Sequence, residues 1–173
     1  VIPVGQTFLD RQAVASAGVH RPTQAGISGS RSEGADSIVV SGGYEDDEDL
    51  GDVIVYTGDG GRDKTTRLQV SDQQFAGRNA ALVYSQNEGL PVRLVRGANR
   101  RSKFAPATGY RYDGLFRVEE SWQERGKSGF VVCRFRLVRV QESSKSDSLP
   151  DVPPDISAGN ASPGRRSVTV QRV

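Results

Sequence analysis

The chain has 173 residues, a formal net charge of +2 and a single cysteine, Cys133. This length fits one domain with its tails, and a hydrophobic fraction of 35% with 20 glycines favours strands and loops over a helical bundle. One cysteine excludes an internal disulfide, and no apolar run is long enough to cross a membrane. We therefore expect a protein without membrane contact, in the cytoplasm of a bacterium or the nucleus of a eukaryote.

The predicted elements are mostly strands. A short helix is predicted over residues 10–17 and a longer one over residues 72–85, where Ser71 or Asp72 could cap the N-terminus and Gly77 weakens the pattern. β-Branched and aromatic residues between turn residues predict the strands at residues 37–41, 52–56, 91–96, 115–119 and 129–140.

Composition changes towards the C-terminus. Serine, aspartate and proline dominate residues 143–164, which indicates a linker, and residues 165–173 return to a basic, alternating sequence typical of the start of a further domain. The main domain is therefore predicted over residues 1–142. Because the chain begins at Val1 and contains no methionine, we expect it to be a processed product or a piece of a longer protein.

The most informative segment runs over residues 41–63, where glycines at both ends let the backbone approach a ligand closely. Tyr44 and Tyr56, separated by a predicted strand, could stack on the two faces of a flat ring. Asp47 could accept a hydrogen bond from an exocyclic amine. Stacking combined with an acceptor at the ring edge is how an extruded base is read. The alternative interpretation is that the two tyrosines are ordinary core residues and that the acidic turn beside them is only solvated surface.

Charge is distributed unevenly along the chain. Residues 45–52 are acidic, whereas a later basic set comprises Arg93, Arg96, Arg100, Arg101, Lys103, Arg134, Arg136 and Arg139. A basic face could neutralise DNA phosphates, and the acidic run would repel DNA unless it faces away or contacts the base. The acidic run could equally dock a basic protein partner.

The segment at residues 41–63 resembles the central motif of SRA domains (SET- and RING-associated, or YDG domains), which bind DNA containing 5-methylcytosine and flip the modified base into a pocket. Further blocks match in the family order, among them Val19-His-Arg-Pro22, Ser102-Lys-Phe-Ala-Pro106, Tyr112-Asp-Gly114 and Gly126-Lys-Ser-Gly-Phe130. The resemblance implies an α+β fold of the PUA-like type, in which helices lie outside a strongly curved, barrel-like sheet.

The resemblance also implies roles for individual residues. The flipped cytosine stacks between Tyr44 and Tyr56, and Asp47 accepts from its N4 amine and thereby rejects thymine. The resemblance implies that the other edges of the base are contacted by Ser41, Gly42, Gly43 and Thr57, mainly through backbone groups. Asp59 stands in the wall beside the 5-methyl group, so we expect its carboxylate to turn outward; acceptance of 5-hydroxymethylcytosine is the alternative.

One family feature is missing from this sequence. Animal members carry an Asn-Lys-Arg finger, whereas the short segment at residues 64–71 has no such tripeptide, so a preference for hemimethylated CpG is not carried over. Gln24 stands at the thumb position, and Arg67 could enter a groove, contact a phosphate or simply be exposed. Further groove or phosphate contacts are predicted at Arg21, Lys64, Thr66, Arg100, Arg101 and Lys103.

Catalytic motifs are absent from the sequence. One histidine and one cysteine are too few for a zinc or HNH nuclease, and none of the four lysines follows a carboxylate two residues earlier. We expect no cofactor in this chain. Bacterial SRA domains often precede an HNH nuclease, so the full-length parent is predicted to be a modification-dependent restriction endonuclease, with a divalent metal only in the nuclease and a possible homodimer through a C-terminal domain. A stand-alone methyl-DNA reader or a protein-interaction module is the alternative.

Overall fold

A computed structural model describes residues 1–141, so the linker and the basic segment predicted beyond residue 142 lie outside the described residues. Residues Val1–Val140 form one compact unit. The elements in chain order are β1 (Thr7–Phe8), α1 (Arg11–Ser16), β2 (Ile27–Ser30), β3 (Gly34–Val40), β4 (Glu48–Asp49), β5 (Val53–Thr57), α2 (Gly77–Glu88), β6 (Val92–Gly97), β7 (Tyr110–Arg125) and β8 (Val131–Arg139). Within these residues no helix is both long and apolar enough to cross a membrane.

The eight strands form one mixed sheet in the order β2-β3-β6-β7-β8-β5-β4, and β1 pairs with β7. Only β3 and β6 run parallel among the described pairs; the chain returns between them through β4, β5 and α2. The pairing ends at β2 on one side and β4 on the other, so the described sheet is open rather than closed. The predicted α+β class with a curved sheet is confirmed.

A core of buried aliphatic and aromatic side chains lies between the sheet and α2. Ala81 and Leu82 of α2 pack with Phe116 and Phe135 of the two longest strands, and all four are fully buried. Tyr56, at the end of β5, belongs to the same cluster. The strand that carries Tyr56 is therefore anchored in the core.

The predicted start of the longer helix is wrong. The helix begins at Gly77, which has φ +54°, and its N-terminal cap is Ala76 rather than Ser71 or Asp72. The side chain of Asp72 instead accepts a hydrogen bond from the N–H of Val131 at 2.8 Å. That long-range contact holds the preceding segment against β8. The shorter predicted helix and all five predicted strands are present, and β7 extends well beyond residues 115–119.

Candidate nucleic-acid interface

The structure places both tyrosines of the glycine-bracketed segment near two carboxylates. Tyr56 is 4% exposed and its hydroxyl donates to the carbonyl oxygen of Gly26 at 3.1 Å. Burial raises the pKa of both Tyr44 and Tyr56, and the nearby carboxylates of Asp59 and Asp47 raise it further. Both phenols therefore stay neutral and remain apolar stacking surfaces with a polar tip.

Asp47 is a half-buried carboxylate with one oxygen already committed. The backbone N–H of Thr57 donates to Asp47 Oδ1 at 2.7 Å, which ties the loop before β4 to the end of β5. Burial raises the Asp47 pKa to about 6, against hydrogen bonds from Thr57 and the charge of Arg134, which lower it. At neutral pH the carboxylate is still mainly ionised and can accept a further hydrogen bond through Oδ2.

A cavity of about 230 Å³ lies beside this carboxylate. It is lined by Val40, Gly42, Tyr44, Glu45, Asp47, Asp49, Asn99, Arg101, Ser102 and Lys127. The structure thus brings Tyr44, Asp47 and Gly42 to one cavity, whereas Tyr56 is not among its lining residues. The predicted role of Tyr56 as the second stacking face stays a prediction.

The loop that follows Tyr56 is pinned by two buried amide side chains. Gln73 is 1% exposed, and its Nε2 donates to the carbonyl oxygens of Gly58 at 2.8 Å and Gly60 at 3.2 Å. Asn79 of α2 holds the Asp59 backbone at both ends, because its Oδ1 accepts from the Asp59 N–H at 2.7 Å and its Nδ2 donates to the Asp59 carbonyl at 2.9 Å. The backbone of this loop is therefore held in place by side chains that lie outside it.

Sequence reasoning did not assign these two amides to the site. A glycine at position 58 is required because a Cβ there would lie 2.5 Å from the Asn79 side chain. The sequence signal for the contact between Gly58 and Asn79 is a glycine two residues after Tyr56 together with an asparagine in the next helix.

Asp59 lies in this loop but does not line the cavity, and its carboxylate faces the start of α2. Its Oδ2 is 3.4 Å from Arg78 Nη1, and the Asp59 side chain is 28% exposed. Burial raises the Asp59 pKa, and the guanidinium of Arg78 lowers it. The contact with Arg78 accounts for the direction of the Asp59 carboxylate. That this direction is outward relative to a bound base stays a prediction.

Two arginines hold the glycine turn before Tyr44. Arg101 donates to the Gly42 carbonyl at 3.2 Å, and Arg62 donates to the Gly43 carbonyl. Because a peptide is planar, fixing each carbonyl also fixes the direction of the next N–H group, which points the opposite way. Gly42 has φ +80°, and a Cβ there would meet the Asn99 side chain at 2.7 Å, so only glycine fits. Ser41, the residue before this turn, has an exposed side chain.

Most carboxylates of the acidic run pair within the chain, although the side chains of Glu48 and Asp52 remain 59% and 72% exposed. Its side chains form the following contacts: Asp46 with the Lys127 N–H at 3.0 Å, Asp47 with the Thr57 N–H at 2.7 Å, Glu48 with Arg134 at 3.4 Å, Asp49 with Arg96 at 2.7 Å and Asp52 with Arg139 at 2.7 Å. The repulsion that this run would exert on DNA is thereby reduced.

The basic set is only partly available to a phosphate. Arg96 and Arg134 are 3% and 4% exposed, so their predicted place on a basic face is wrong. Both form ion pairs with the acidic run, Arg96 with Asp49 and Arg134 with Glu48. Arg100, Arg101 and Lys103 are exposed in the loop between β6 and β7.

Other predicted contact residues lie in two further loops. Gln24 is exposed, in a loop held by Arg11, which donates to the carbonyls of Pro22 at 2.9 Å and Ala25 at 2.6 Å. Arg21 of the same loop pairs with Asp36 at 2.9 Å, with its side chain 71% exposed. The loop after β5 carries the exposed residues Lys64, Thr66 and Arg67.

The single histidine is a structural residue. His20 is fully buried between Ser37 Oγ at 2.7 Å and the Ala25 carbonyl at 2.9 Å. Burial lowers its pKa to about 4, so it is neutral under ordinary conditions. Within residues 1–141, no three side chains of histidine, cysteine, aspartate or glutamate are grouped to hold a metal ion.

The fold and the site define a small α+β domain with a polar pocket, lined by a tyrosine and a carboxylate, at the end of a core strand. The chain belongs to the SAD/SRA domain family, whose model matches residues 1–143. The resemblance drawn from the sequence is thereby confirmed.

Similar proteins come from eukaryotes and from restriction systems. The chain is 44% identical over 158 residues to the rat E3 ubiquitin-protein ligase UHRF1, and 42% identical over 167 residues to the E3 ubiquitin-protein ligase ORTHRUS 5 of Arabidopsis thaliana. These matches cover 80% and 87% of this chain but only 20% and 27% of the two relatives. The chain thus spans about a quarter or less of these relatives.

Solved structures of similar proteins share the fold. The modification-dependent TagI restriction endonuclease matches with a TM-score of 0.79 and 48% identity, over 82% of this chain and 51% of that one. The SUVH5 SRA domain in complex with hemimethylated CG DNA matches with a TM-score of 0.66 and 38% identity, over 88% and 94%. A further SUVH5 SRA structure contains fully hydroxymethylated CG DNA.

Proposed function

We propose that this chain binds double-stranded DNA containing 5-methylcytosine and flips the modified base into the pocket of Tyr44, Tyr56 and Asp47. The observation that carries the proposal is the 2.7 Å hydrogen bond from the Thr57 N–H to Asp47 Oδ1. Because Oδ1 is occupied by this bond, we expect Oδ2 to be the acceptor for the base. Cytosine offers a donor amine at N4, whereas thymine offers the acceptor O4, so this edge selects cytosine.

Affinity for DNA would come mainly from the exposed cations around the pocket. Arg100 and Lys103 in one loop and Lys64 and Arg67 in another would contact phosphates, while Gln24 would reach a groove from the thumb loop. Stacking on the tyrosines would contribute about 1–3 kcal/mol for each face. Nothing in this mechanism requires a cofactor or a metal ion in this chain.

Within the full-length protein we propose that the domain provides specificity for a modification-dependent restriction system. The likeness to the TagI restriction endonuclease supports this role. An attached HNH nuclease, its divalent metal and a homodimer through a C-terminal domain belong to the same proposal. Incubating the full-length parent protein and a divalent metal with methylated and unmodified plasmids tests it: cleavage of the methylated plasmid alone is expected, and no cleavage of either contradicts it.

A stand-alone reader of methylated DNA is the second candidate. The identity to UHRF1 and ORTHRUS 5, which are ubiquitin ligases by name, favours a reader without an attached nuclease. It does not favour a domain that stands alone, because this chain covers only 20% and 27% of these two relatives. A protein-interaction module is less well supported, since most carboxylates of the acidic run that could dock a basic partner already pair within the chain.

For selectivity at the 5-position we propose a preference for 5-methylcytosine over 5-hydroxymethylcytosine. The contact of Asp59 with Arg78 supports this, because it draws the carboxylate away from a methyl group. The SUVH5 complex with hydroxymethylated DNA shows that a domain of this family tolerates the hydroxyl. Comparing affinities for the two modified duplexes tests the preference, and much tighter binding of the hydroxymethylated duplex would contradict it.

The main experiment is a gel shift with methylated, unmodified and mismatched duplexes at fixed salt. Asp47→Ala should weaken binding of the methylated duplex by about 10–100-fold, the range for one lost base-edge contact. Arg100→Ala is the matched control, because it removes an exposed charge and should weaken all duplexes alike. Arg101 is unsuitable as this control, since it holds the Gly42 carbonyl. Equal binding of every duplex by the wild type would leave only a generic DNA binder.

A further inference from the structure

Arg134 of β8 is a buried arginine with no part in the proposed contacts to DNA. Its side chain is only 5% exposed, and the two carboxylates that reach it are distant. Glu48 Oε2 lies 3.4 Å from Arg134 Nη2, and Glu124 Oε2 lies 3.6 Å from Arg134 Nη1. The Nε atom is buried and has no hydrogen-bond partner among the described residues. Because a buried charge is costly unless it is closely paired, this guanidinium calls for a further anion nearby.

Arg96 shows how the same fold pairs a buried guanidinium completely. Its Nε and Nη2 donate to Asp49 at 2.7 and 2.8 Å, and its Nη1 donates to Asp113 at 2.9 Å. The side chains of both these aspartates are 8% exposed, whereas the two glutamates near Arg134 are 59% and 46% exposed. The charge of Arg96 is therefore neutralised at close range by buried partners, and the charge of Arg134 is not.

The register of the sheet brings Arg134 close to Asp47. Arg134 lies directly opposite Thr57 in the antiparallel pair of β5 and β8, so the two side chains project from the same face of the sheet. The backbone N–H of Thr57 is the group that donates to Asp47 Oδ1. Glu48, which the guanidinium contacts, is the residue after Asp47. Two separate links therefore place the buried cation beside the carboxylate of the pocket.

The other charged groups around Asp47 are less able to keep it ionised. Two further cations line the cavity, and both are exposed and bonded elsewhere. Lys127 Nζ donates to the Glu45 carbonyl at 3.1 Å, and Arg101 donates to the Gly42 carbonyl. Exposed charges are screened by salt much more than buried ones. The remaining titratable neighbours are anions or neutral phenols, namely Glu45, Asp46, Asp49, Tyr44 and Tyr56.

We propose that Arg134 is a positioning residue of the base pocket, whose buried guanidinium keeps the Asp47 carboxylate ionised so that it accepts the N4 amine of cytosine. This inference rests on the proposed function. Arg134 would act through Asp47 alone and would touch neither the base nor a phosphate. Burial raises the pKa of Asp47 to about 6, while hydrogen bonds from Thr57 and the charge of Arg134 oppose that rise. Without the cation, Asp47 would become a donor at a higher pH and would no longer accept from the amine.

The test measures how the affinity of the intact chain for a methylated duplex depends on pH at constant salt. A duplex of A·T pairs alone corrects for contacts to phosphates. Arg134→Gln should move the midpoint of the pH profile up by about one unit, so that binding is about fivefold weaker than in the wild type at about pH 6 and equal to it at about pH 8.5. Recovery at high pH is a result that a merely structural role would not give.

Three further variants complete the design. Arg134→Lys keeps a cation and should keep a midpoint close to that of the wild type. Arg136→Gln is the matched control, because it removes an equal charge from the same strand, where Arg136 pairs with Glu119, and should leave the midpoint unchanged. In the Asp47→Asn background, Arg134→Gln should cause no additional loss of binding, since the group through which it acts is already neutral.

The outcomes separate this inference from the proposed function. A wild type that binds methylated DNA no better than the A·T duplex at any pH overturns the proposed function. If the wild type prefers methylated DNA and Arg134→Gln has the same pH profile, only the role of Arg134 is wrong. A loss that persists at high pH, or that is equally large in the Asp47→Asn background, also overturns that role.

If Arg134→Gln does not fold, the exposed substitution Glu48→Gln takes its place. It removes the partner of Arg134 on β4, so the guanidinium would act more strongly on Asp47. The midpoint of the pH profile should then move down. An unchanged or raised midpoint in Glu48→Gln would overturn the role of Arg134.

Discussion

The backbone N–H of Thr57 and the carboxylate of Asp47 form a hydrogen bond of 2.7 Å that links the end of a core strand to the acidic loop. The bond holds Oδ1 of Asp47 to the strand. In the proposed function Oδ2 is the acceptor for the base, so the proposed selectivity depends on the chemical identity of one atom.

Replacing that atom should change the base that is preferred. In Asp47→Asn the amide oxygen would keep the Thr57 N–H bond, because the amide nitrogen cannot accept it, so a donor would replace Oδ2. Affinity for 5-methylcytosine should fall by about 1–3 kcal/mol, and affinity for thymine, which carries the same methyl group and an acceptor at O4, should rise. Binding titrations with duplexes containing 5-methylcytosine or a G·T mismatch measure both. An unchanged ratio of the two affinities would refute the assigned orientation.

Protonation of Asp47 should have a related effect on binding. Its pKa is raised by burial to about 6, so the acceptor is present above that pH and becomes a donor below it. Affinity for the methylated duplex should therefore fall as the pH is lowered, by about tenfold at one pH unit below the pKa. Affinity measured across this range at constant salt tests the sign. Asp47→Asn is the control and should show a flat profile over the same range.

Arg62 should matter through Tyr44 rather than through DNA phosphates. Its guanidinium carbon lies 4.1 Å from the Tyr44 ring centroid, and it also donates to the Gly43 carbonyl. Arg62→Lys keeps the charge but loses the planar stack, and should lose about 1 kcal/mol of binding to methylated DNA with an unchanged salt slope. Exposed Arg31 provides a control substitution to alanine. A reduced salt slope in Arg62→Lys would instead indicate a phosphate contact.

The residues that line the cavity were easier to predict from the sequence than the long-range contacts that hold them in place. Tyr44, Asp47 and the strand before Tyr56 were located by glycine and β-branched patterns that act over a few residues. The helix start was missed because Asp72 bonds to a strand 59 residues later. Arg96 was counted as a basic surface residue because no local pattern shows that its partner Asp49 is 47 residues away. Charge along a chain does not show which charges the fold pairs internally.

Two ion pairs of the acidic run offer a matched test of this difference. Asp49 lies 2.7 Å from Arg96 Nε and Asp52 lies 2.7 Å from Arg139 Nε, but their side chains are 8% and 72% exposed. Asp49→Ala would leave the buried guanidinium of Arg96 with one fewer partner, and should lower the free energy of unfolding by about 3–5 kcal/mol. Asp52→Ala breaks an exposed pair and should cost less than about 1 kcal/mol.

Urea denaturation of the two variants beside the wild type measures both changes. The loss in Asp49→Ala should persist at high salt, since a buried pair is screened little, whereas the small loss in Asp52→Ala should vanish. Because Asp49 lines the same cavity as Asp47, Asp49→Ala should also weaken binding of methylated DNA under conditions where the variant is fully folded. If both substitutions lower the free energy of unfolding equally, burial does not determine how much these ion pairs stabilise the fold. The acidic run would then not be anchored through Arg96.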